Sequence, residues 1–569
     1  VALLGAAFQI GRSALAAYQA AISIAGQNVA NVGNPDYARQ TGRLAAQVGG
    51  PTLGGVRPGG GVRLTELRRH VDEALENRLR LAAAGRSAGE ALHRTLAQVE
   101  SLYNELSDQD ISTQLSGLLA GFAQLQTAPQ DSSARRLVLS AAESLISSLR
   151  RQRDGLIRHA RDLNDEAIAA TRRVNELAGE IARLNASVVA EEADGVTVAS
   201  ALRDRRDALL RDLSDLLDVQ VREQENGAIS VYLGSRPLIE FDRARLLTTE
   251  TTLEDGLELW QVRFVDDGAI ASVRSGRLAG ILQARDQHIV GQLQRLDRLA
   301  RGLIYEVNRI HSTGVGMVGY TQITSDQAVA DPEAALNAAG LIFPVSNGTL
   351  LVKVRDTATR QVITRQVAVN LDGLNGDDTT LAGLAAALNA VPGLSASVTA
   401  DNRLSLSAEA GREFWFNEDS SGVLAALGLA GFFTGSDAAT IDVHPLIRQD
   451  VRRLATSLEG AVNDGTIAGR IAGLQSSTAT STLLDGQSIQ DFHTATIAML
   501  AVEAARAAGD FEAADTVYNG LYAQREAISG VSLDEEAINL TKFERAFQGA
   551  ARYVSVLESM TSELLALLR

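Results

Sequence analysis

Residues 4–33 read LGAAFQIGRSALAAYQAAISIAGQNVANVG, and Leu4, Phe8, Gly11, Leu15, Tyr18, Ile22, Ala25 and Val29 recur in them at alternating spacings of four and three. The opposite end of the chain repeats the pattern. In residues 543–567, FERAFQGAARYVSVLESMTSELLAL, the positions Phe543, Ala546, Ala550, Tyr553, Leu557, Met560, Leu564 and Leu567 alternate at three and four. This is the heptad rule, which keeps one stripe of a helix turned toward a partner. Each seam predicts a helix roughly 40 Å long at 1.5 Å per residue.

The two seams differ in their surroundings. The only charge before Val32 is Arg12, whereas Lys542, Glu544, Arg545, Arg552, Glu558 and Glu563 flank the C-terminal seam. A nearly uncharged helix of small residues suits burial on several sides, and the charged one suits a helix with a solvated face. The ends are therefore expected to pair as a coiled coil. The small side chains bury little area per residue, so full ordering is expected only when neighbouring copies add contacts.

Between the ends, Asn34-Pro35-Asp36-Tyr37 stops the first helix, because the residue before proline is disfavoured in helix. Glycine-rich stretches (Gly49-Gly50-Pro51 and Gly59-Gly60-Gly61) follow, then a strand at Val62–Leu64. Helix dominates from Asp72 to about Ala190, where Val174, Leu177, Ile181, Leu184 and Val188 keep heptad spacing. Residues 219–265 alternate as strands around Asn226-Gly227. Helix resumes near Gly280, with a seam from Ile289 to Ile310. Residues 345–435 are β-rich with one short helix around Leu381, Leu384 and Leu388, and helix returns from about Ile447 to Ile528. The predicted fold class is mainly α with inserted β-rich domains, an elongated multidomain rod whose N- and C-terminal helices pair. Its parts are a terminal core (1–70 plus 531–569), a helical rod (71–205, 276–330 and 446–530) and β-rich insertions at 206–275 and 340–445.

Composition narrows the function. At 569 residues the chain exceeds one compact core. The net charge of −16 disfavours nucleic-acid and anionic-membrane binding, which need a basic footprint. The absence of cysteine excludes disulfides, thiolate metal sites and cysteine nucleophiles. Gln9, Gln19, Gln27 and Asn28 interrupt the N-terminal apolar run, so neither a cleaved signal peptide nor membrane insertion is expected.

No motif carries catalytic chemistry. Gly314-Val315-Gly316-Met317-Val318-Gly319 matches GxGxxG but follows a helical seam rather than a strand, which favours a flexible helix exit over a dinucleotide turn. The seven histidines show no HxxxH or HExxH spacing. Asp377-Asp378 and Asp534-Glu535-Glu536 fall at predicted helix starts, where carboxylates cap free N–H groups. Asn185-Ala186-Ser187 is a glycosylation sequon inside a predicted helix. No catalytic, cofactor or metal residues are assigned, and no cofactor is expected.

The stretch Ser13–Gln19, followed by Asn28-Val29-Ala30-Asn31, Pro35-Asp36-Tyr37-Ala38-Arg39-Gln40 and Gly60-Gly61-Val62 up to Arg69 and Asp72, resembles the N-terminal motif shared by bacterial flagellar rod, hook and hook-associated proteins. Three features narrow the resemblance to the hook-associated protein 1 family. They are the Arg39-Gln40 ending, the block Gly276–Leu282 with Arg285, Asp286, Asn308, His311 and Gly314, and the C-terminal Gly530–Glu536 with Asn539-Leu540 and Phe547-Gln548. The chain departs from the family at Asp36, where glycine is usual, and at Ala74-Leu75, where an aromatic is usual.

The resemblance implies a structural subunit, not an enzyme, that joins hook to filament. It implies type III export to the extracellular flagellum, self-assembly as a ring or helical array, and contact with hook protein and hook-associated protein 3. It also implies an export chaperone bound over about Leu533–Leu568. The seam residues at both ends would then be the assembly interface. Another axial protein, hook or distal rod, is the nearest alternative, and a secreted coiled-coil adaptor is a more distant one.

Overall fold

The computed structural model describes residues 2–48, 59–103, 110–194, 197–254, 257–374, 376–476 and 478–567. Gly49-Gly50-Pro51, Leu568 and the side chain of Leu567 lie outside them. The chain is mainly helical with several small antiparallel sheets. It divides into two compact units, the first of residues 1–95, 162–284 and 506–569, the second of residues 96–161 and 285–505.

The first unit holds both chain ends. The N-terminal helix, Ala2–Ala30, packs against the C-terminal helix, Leu533–Leu567. A hairpin of Gln40–Ala46 and Val62–Arg69 lies against the N-terminal helix, with a bulge at Arg43/Leu44. Gly61 takes φ +101 there, and a Cβ on it would stand 2.0 Å from Ser13 Oγ. That close approach is why glycine ends this loop. A four-stranded antiparallel sheet runs Val219–Glu223, Ile229–Leu233, Arg236–Glu240 and Arg243–Ala244 in sequence order. Its first turn holds Gly227 at φ +81, as the Asn226-Gly227 pair predicts.

Asn185 pins this sheet to the Ser132–Glu191 helix. Its Nδ2 donates to the Ile229 and Phe241 carbonyls at 2.8 Å, and its Oδ1 accepts from Ile229 N and from Arg206. The sequon's asparagine is therefore wholly buried, whereas Ala186 and Ser187 are exposed. The helix turns Asn185 toward the sheet, where its amide satisfies backbone groups of Ile229, at the start of the second strand, and of Phe241, just after the third.

The second unit joins helices Ile111–Thr127 and Val290–His311 to a β-rich region. One three-stranded sheet orders Val362–Val369, Gly348–Asp356 and Arg412–Asn417, and another orders Leu394–Val398, Leu404–Ala408 and Gln322–Thr324. Val352, Leu381, Leu388, Leu404, Phe414 and Phe416 share one apolar core. The short helix is Leu381–Asn389. Its cap is Thr380, whose Oγ1 accepts from Gly383 N, while Asp378 accepts from Gly373 N in the preceding loop.

Two expectations need correction here. Residues 447–488 are not one helix but short helical turns joined by loops, and the long helix begins at Ile489. Asp464 explains part of this: its carboxylate accepts from the Ser457 hydroxyl and from Leu458 N and Thr466 N, closing a polar loop that competes with helix. The GxGxxG segment is likewise not a flexible exit. Val315 bridges Ser457, Met317 N donates to Arg452 O, and a Cβ on Gly316 would lie 2.1 Å from that same carbonyl. Its glycines permit close backbone packing, not phosphate binding.

Candidate functional site

Along the N-terminal helix the buried positions are Gly11, Ala17, Ala21, Ala25 and Asn28. Leu4, Phe8, Leu15, Tyr18 and Ile22 are half-buried and Val29 is exposed. On the C-terminal helix Leu557 is buried, Phe543, Ala546 and Ala550 are half-buried, and Tyr553, Met560 and Leu564 are exposed. The deepest contact is made by the smallest residues: a Cβ on Gly11 would stand 2.5 Å from Val554 Cγ2. Small side chains let the two backbones approach, and the larger seam residues spread to either side of that line.

The motif residues converge where the N-terminal helix ends. Asn28 is 1% exposed and uses its whole amide. Nδ2 donates to Gln40 O at 2.8 Å and to Glu536 Oε2 at 3.1 Å. Oδ1 accepts from the Tyr37 hydroxyl at 2.7 Å and from Gln40 N at 3.0 Å. Arg39 completes the clamp, with Nε and Nη2 donating to Glu536 Oε1 at 2.9 and 2.7 Å and Nη1 to Glu535 Oε2 at 2.6 Å. Its backbone N–H reaches Ser529 O at 2.9 Å. Burial, then the nearby carboxylates of Asp204 and Glu536, push the Tyr37 phenol up to about 12, so it stays a donor at any physiological pH.

Glu536 was expected to cap a helix start and does not. It lies one residue past the first three helical positions, and its own N–H already bonds Ser532 O. Its side chain is therefore free to receive Asn28 and Arg39, residues 508 and 497 positions away.

The remaining motif residues at this end have local roles. Asn31 Nδ2 donates to Gln27 O, Pro35 is exposed, and Asp36 pairs with Arg211 at 2.7 Å. Asp36 has no positive φ; Gly33 carries the left-handed turn at φ +77. The position thus has no need of glycine. Leu75, where an aromatic is usual, is buried, and its N–H is capped by Asp72 Oδ1 at 3.0 Å.

In the second unit, Asn308 and His311 are pins of the same kind. Asn308 Nδ2 donates to Phe433 O, and its Oδ1 accepts from Phe432 N and Phe433 N, all between 2.8 and 2.9 Å. His311 is fully buried, with Nδ1 2.8 Å from Ala430 O and Nε2 accepting from Ala455 N at 2.9 Å. That pairing requires a neutral ring protonated on Nδ1. Arg285 is buried on a π-helical turn, Ala284–Ile289, and its Nε meets Asp286 Oδ1 at 2.6 Å.

Burial lowers the His311 pKa to about 4, which makes its titration a stability term. The unfolded chain takes up the proton below about pH 6.5, the folded chain only near the lowered value. Stability from this group is thus complete above the unfolded value and falls as pH drops through the window, by about 1.4 kcal/mol per unit. Denaturant titrations between pH 7 and 4 should show a steeper decline for the native chain than for His311→Gln; parallel profiles would contradict it.

The helical-domain profile of flagellar hook-associated protein FlgK matches residues 96–324. Flagellar hook-associated protein 1 of Escherichia coli K12 is 23% identical over 97% of this chain and 98% of its own length. The chain is thus similar to hook-associated protein 1 over nearly its whole length. The Bacillus subtilis 168 protein of the same description is 24% identical over 98% of this chain and 97% of its own. Among solved structures, the flagellar hook junction protein FlgK of Burkholderia pseudomallei covers 80% of this chain and all of its own, with a TM-score of 0.50 and 15% identity, a likeness of fold. The family is one of structural flagellar proteins, so its members associate with other flagellar components. No helix among the described residues is long and apolar enough to cross a membrane.

Proposed function

We propose that this chain is the junction subunit between hook and filament, and that its paired terminal helices are the assembly device. The observation that carries this reading is the uncovered apolar face of the C-terminal helix. Ile538, Tyr553, Val556, Met560 and Leu564 are between 41% and 69% exposed although the helix already has one partner. An apolar stripe left open on a paired helix marks a surface that other chains cover. Neighbouring copies in a ring or helical array would cover it, with hook protein on one side and hook-associated protein 3 on the other. Before assembly, an export chaperone would shield the same face over about Leu533–Leu568, keeping the chain competent for type III export to the extracellular flagellum.

The test is whether purified protein adds to isolated hooks and then accepts hook-associated protein 3. Val556→Asp changes only an exposed residue, so its monomer should keep wild-type circular dichroism while incorporation fails. Leu557→Asp, inside the helix pair, should also abolish incorporation, yet leave the unfolding transition of residues 96–161 and 285–505 in place. Filament growth on hooks supplied only with either variant would defeat the reading.

A further inference from the structure

A cavity of about 280 Å³ in the first unit is lined by Arg80, Arg206, Glu76, Asp207, Arg69 and Arg203, among others. Most of these charges already have partners. Arg69 holds Asp204 and Asp207, and Arg203 holds Glu192 and Glu223. Arg80 and Arg206 stand apart. They are 7% and 1% exposed, and among the described residues neither pairs with a carboxylate within salt-bridge distance. Among the described residues Arg80 donates only through Nη2, to Asn77, and Arg206 only through Nη1, to Asn185 Oδ1 and Gly227 O. The Nε of each has no acceptor. Glu76, 5% exposed, shows the converse. Its Oε1 accepts from Arg525 at 3.2 Å, but Oε2 has no hydrogen-bond donor, the nearest cation being Arg211 at 3.9 Å.

We propose that this cavity binds a small oxyanion that still carries a proton, of the phosphate class. Two buried guanidiniums supply donors and charge for the anionic oxygens. Glu76 Oε2 asks for a donor, which a P–OH group provides and a fully ionised oxyanion such as sulfate does not. Burial disfavours the charge on both arginines, and an anion would offset that cost. The site does not depend on the assembly role above.

Isothermal titration of the full chain with inorganic phosphate, at constant ionic strength in sodium chloride, should show saturable one-site uptake. Sulfate should bind at least tenfold more weakly, and Arg80→Gln should weaken phosphate at least tenfold with unchanged far-ultraviolet circular dichroism. Phosphate uptake no stronger than sulfate, or undiminished in the variant, overturns the proposal. Should Arg80→Gln fail to fold, crystals of the native chain soaked in arsenate decide it. An anomalous peak between Arg80 and Arg206 supports the site, and its absence removes it.

Discussion

Asn28→Asp should cost the first unit at least about 3 kcal/mol at pH 7, although it exchanges one isosteric side chain for another. The native amide donates to Gln40 O and to Glu536 Oε2, and the substitution removes both donors. It sets a carboxylate 3.1 Å from another carboxylate at a position 1% exposed to solvent. Losing a buried hydrogen bond to a charged partner costs roughly 1.5–3 kcal/mol, and the like-charge contact adds to it.

The introduced carboxyl can escape by taking up a proton, which fixes the sign of its pH dependence. Its folded pKa is raised above the unfolded value of about 3.9, so the stability it restores is present below that value and lost as pH rises through the folded one. The variant should therefore recover relative to the native chain on acidification, opposite to the His311 term. Hydrogen exchange at the amides of Tyr37, Gln40 and Glu536 reads the local loss. A deficit under 1 kcal/mol at pH 7, or no recovery in acid, would show that the amide is not the centre of the clamp.

The clamp also shows what was legible in the sequence. Asn28, Tyr37, Arg39 and Gln40 stand out within thirteen residues through the family resemblance, and the structure joins Asn28 directly to Tyr37 and Gln40 and through Glu536 to Arg39. Glu536 belongs to the C-terminal block of the resemblance, but its role was not legible, because an acidic run at a helix start has an ordinary local explanation. Only the meeting of residues 508 apart gives it another partner.

The helix seams carry a related lesson. Heptad spacing identifies a stripe that includes Gly11 and Ala25, but Ala17 and Ala21 are buried where the seam residues Tyr18 and Ile22 are half-buried. Where small residues make the buried contact, a pattern read from the larger residues falls one position off it, as at Tyr18 and Ile22. The Asn226-Gly227 turn and the helix over Leu381–Asn389 were legible because local chemistry decides them. The loops between Asp450 and Ser488 were not, since Ser457 and Asp464 act through hydrogen bonds that composition does not reveal.

Gly280 puts the same idea to a quantitative test. It sits in the Arg277–Gln283 helix, where alanine is intrinsically favoured over glycine by about 1 kcal/mol. Propensity alone predicts that Gly280→Ala stabilises the chain. The packing predicts the reverse: a Cβ there would lie 2.3 Å from Ala88 O and 3.0 Å from Ala88 Cα, backbone atoms that cannot swing aside. One turn earlier, Gly276 at φ +86 would bring a Cβ within 2.5 Å of Leu216 O, so the helix cannot slide away at that end. Forcing this contact should cost about 3 kcal/mol, leaving a net loss near 2 after the propensity gain. Gly179, also in a helix of the first unit, has nothing within 4 Å of its would-be Cβ, so Gly179→Ala should gain up to about 1 kcal/mol. Denaturant titrations of the two variants should therefore move in opposite directions. Movement in the same direction would mean that close backbone approach is not what holds glycine at position 280.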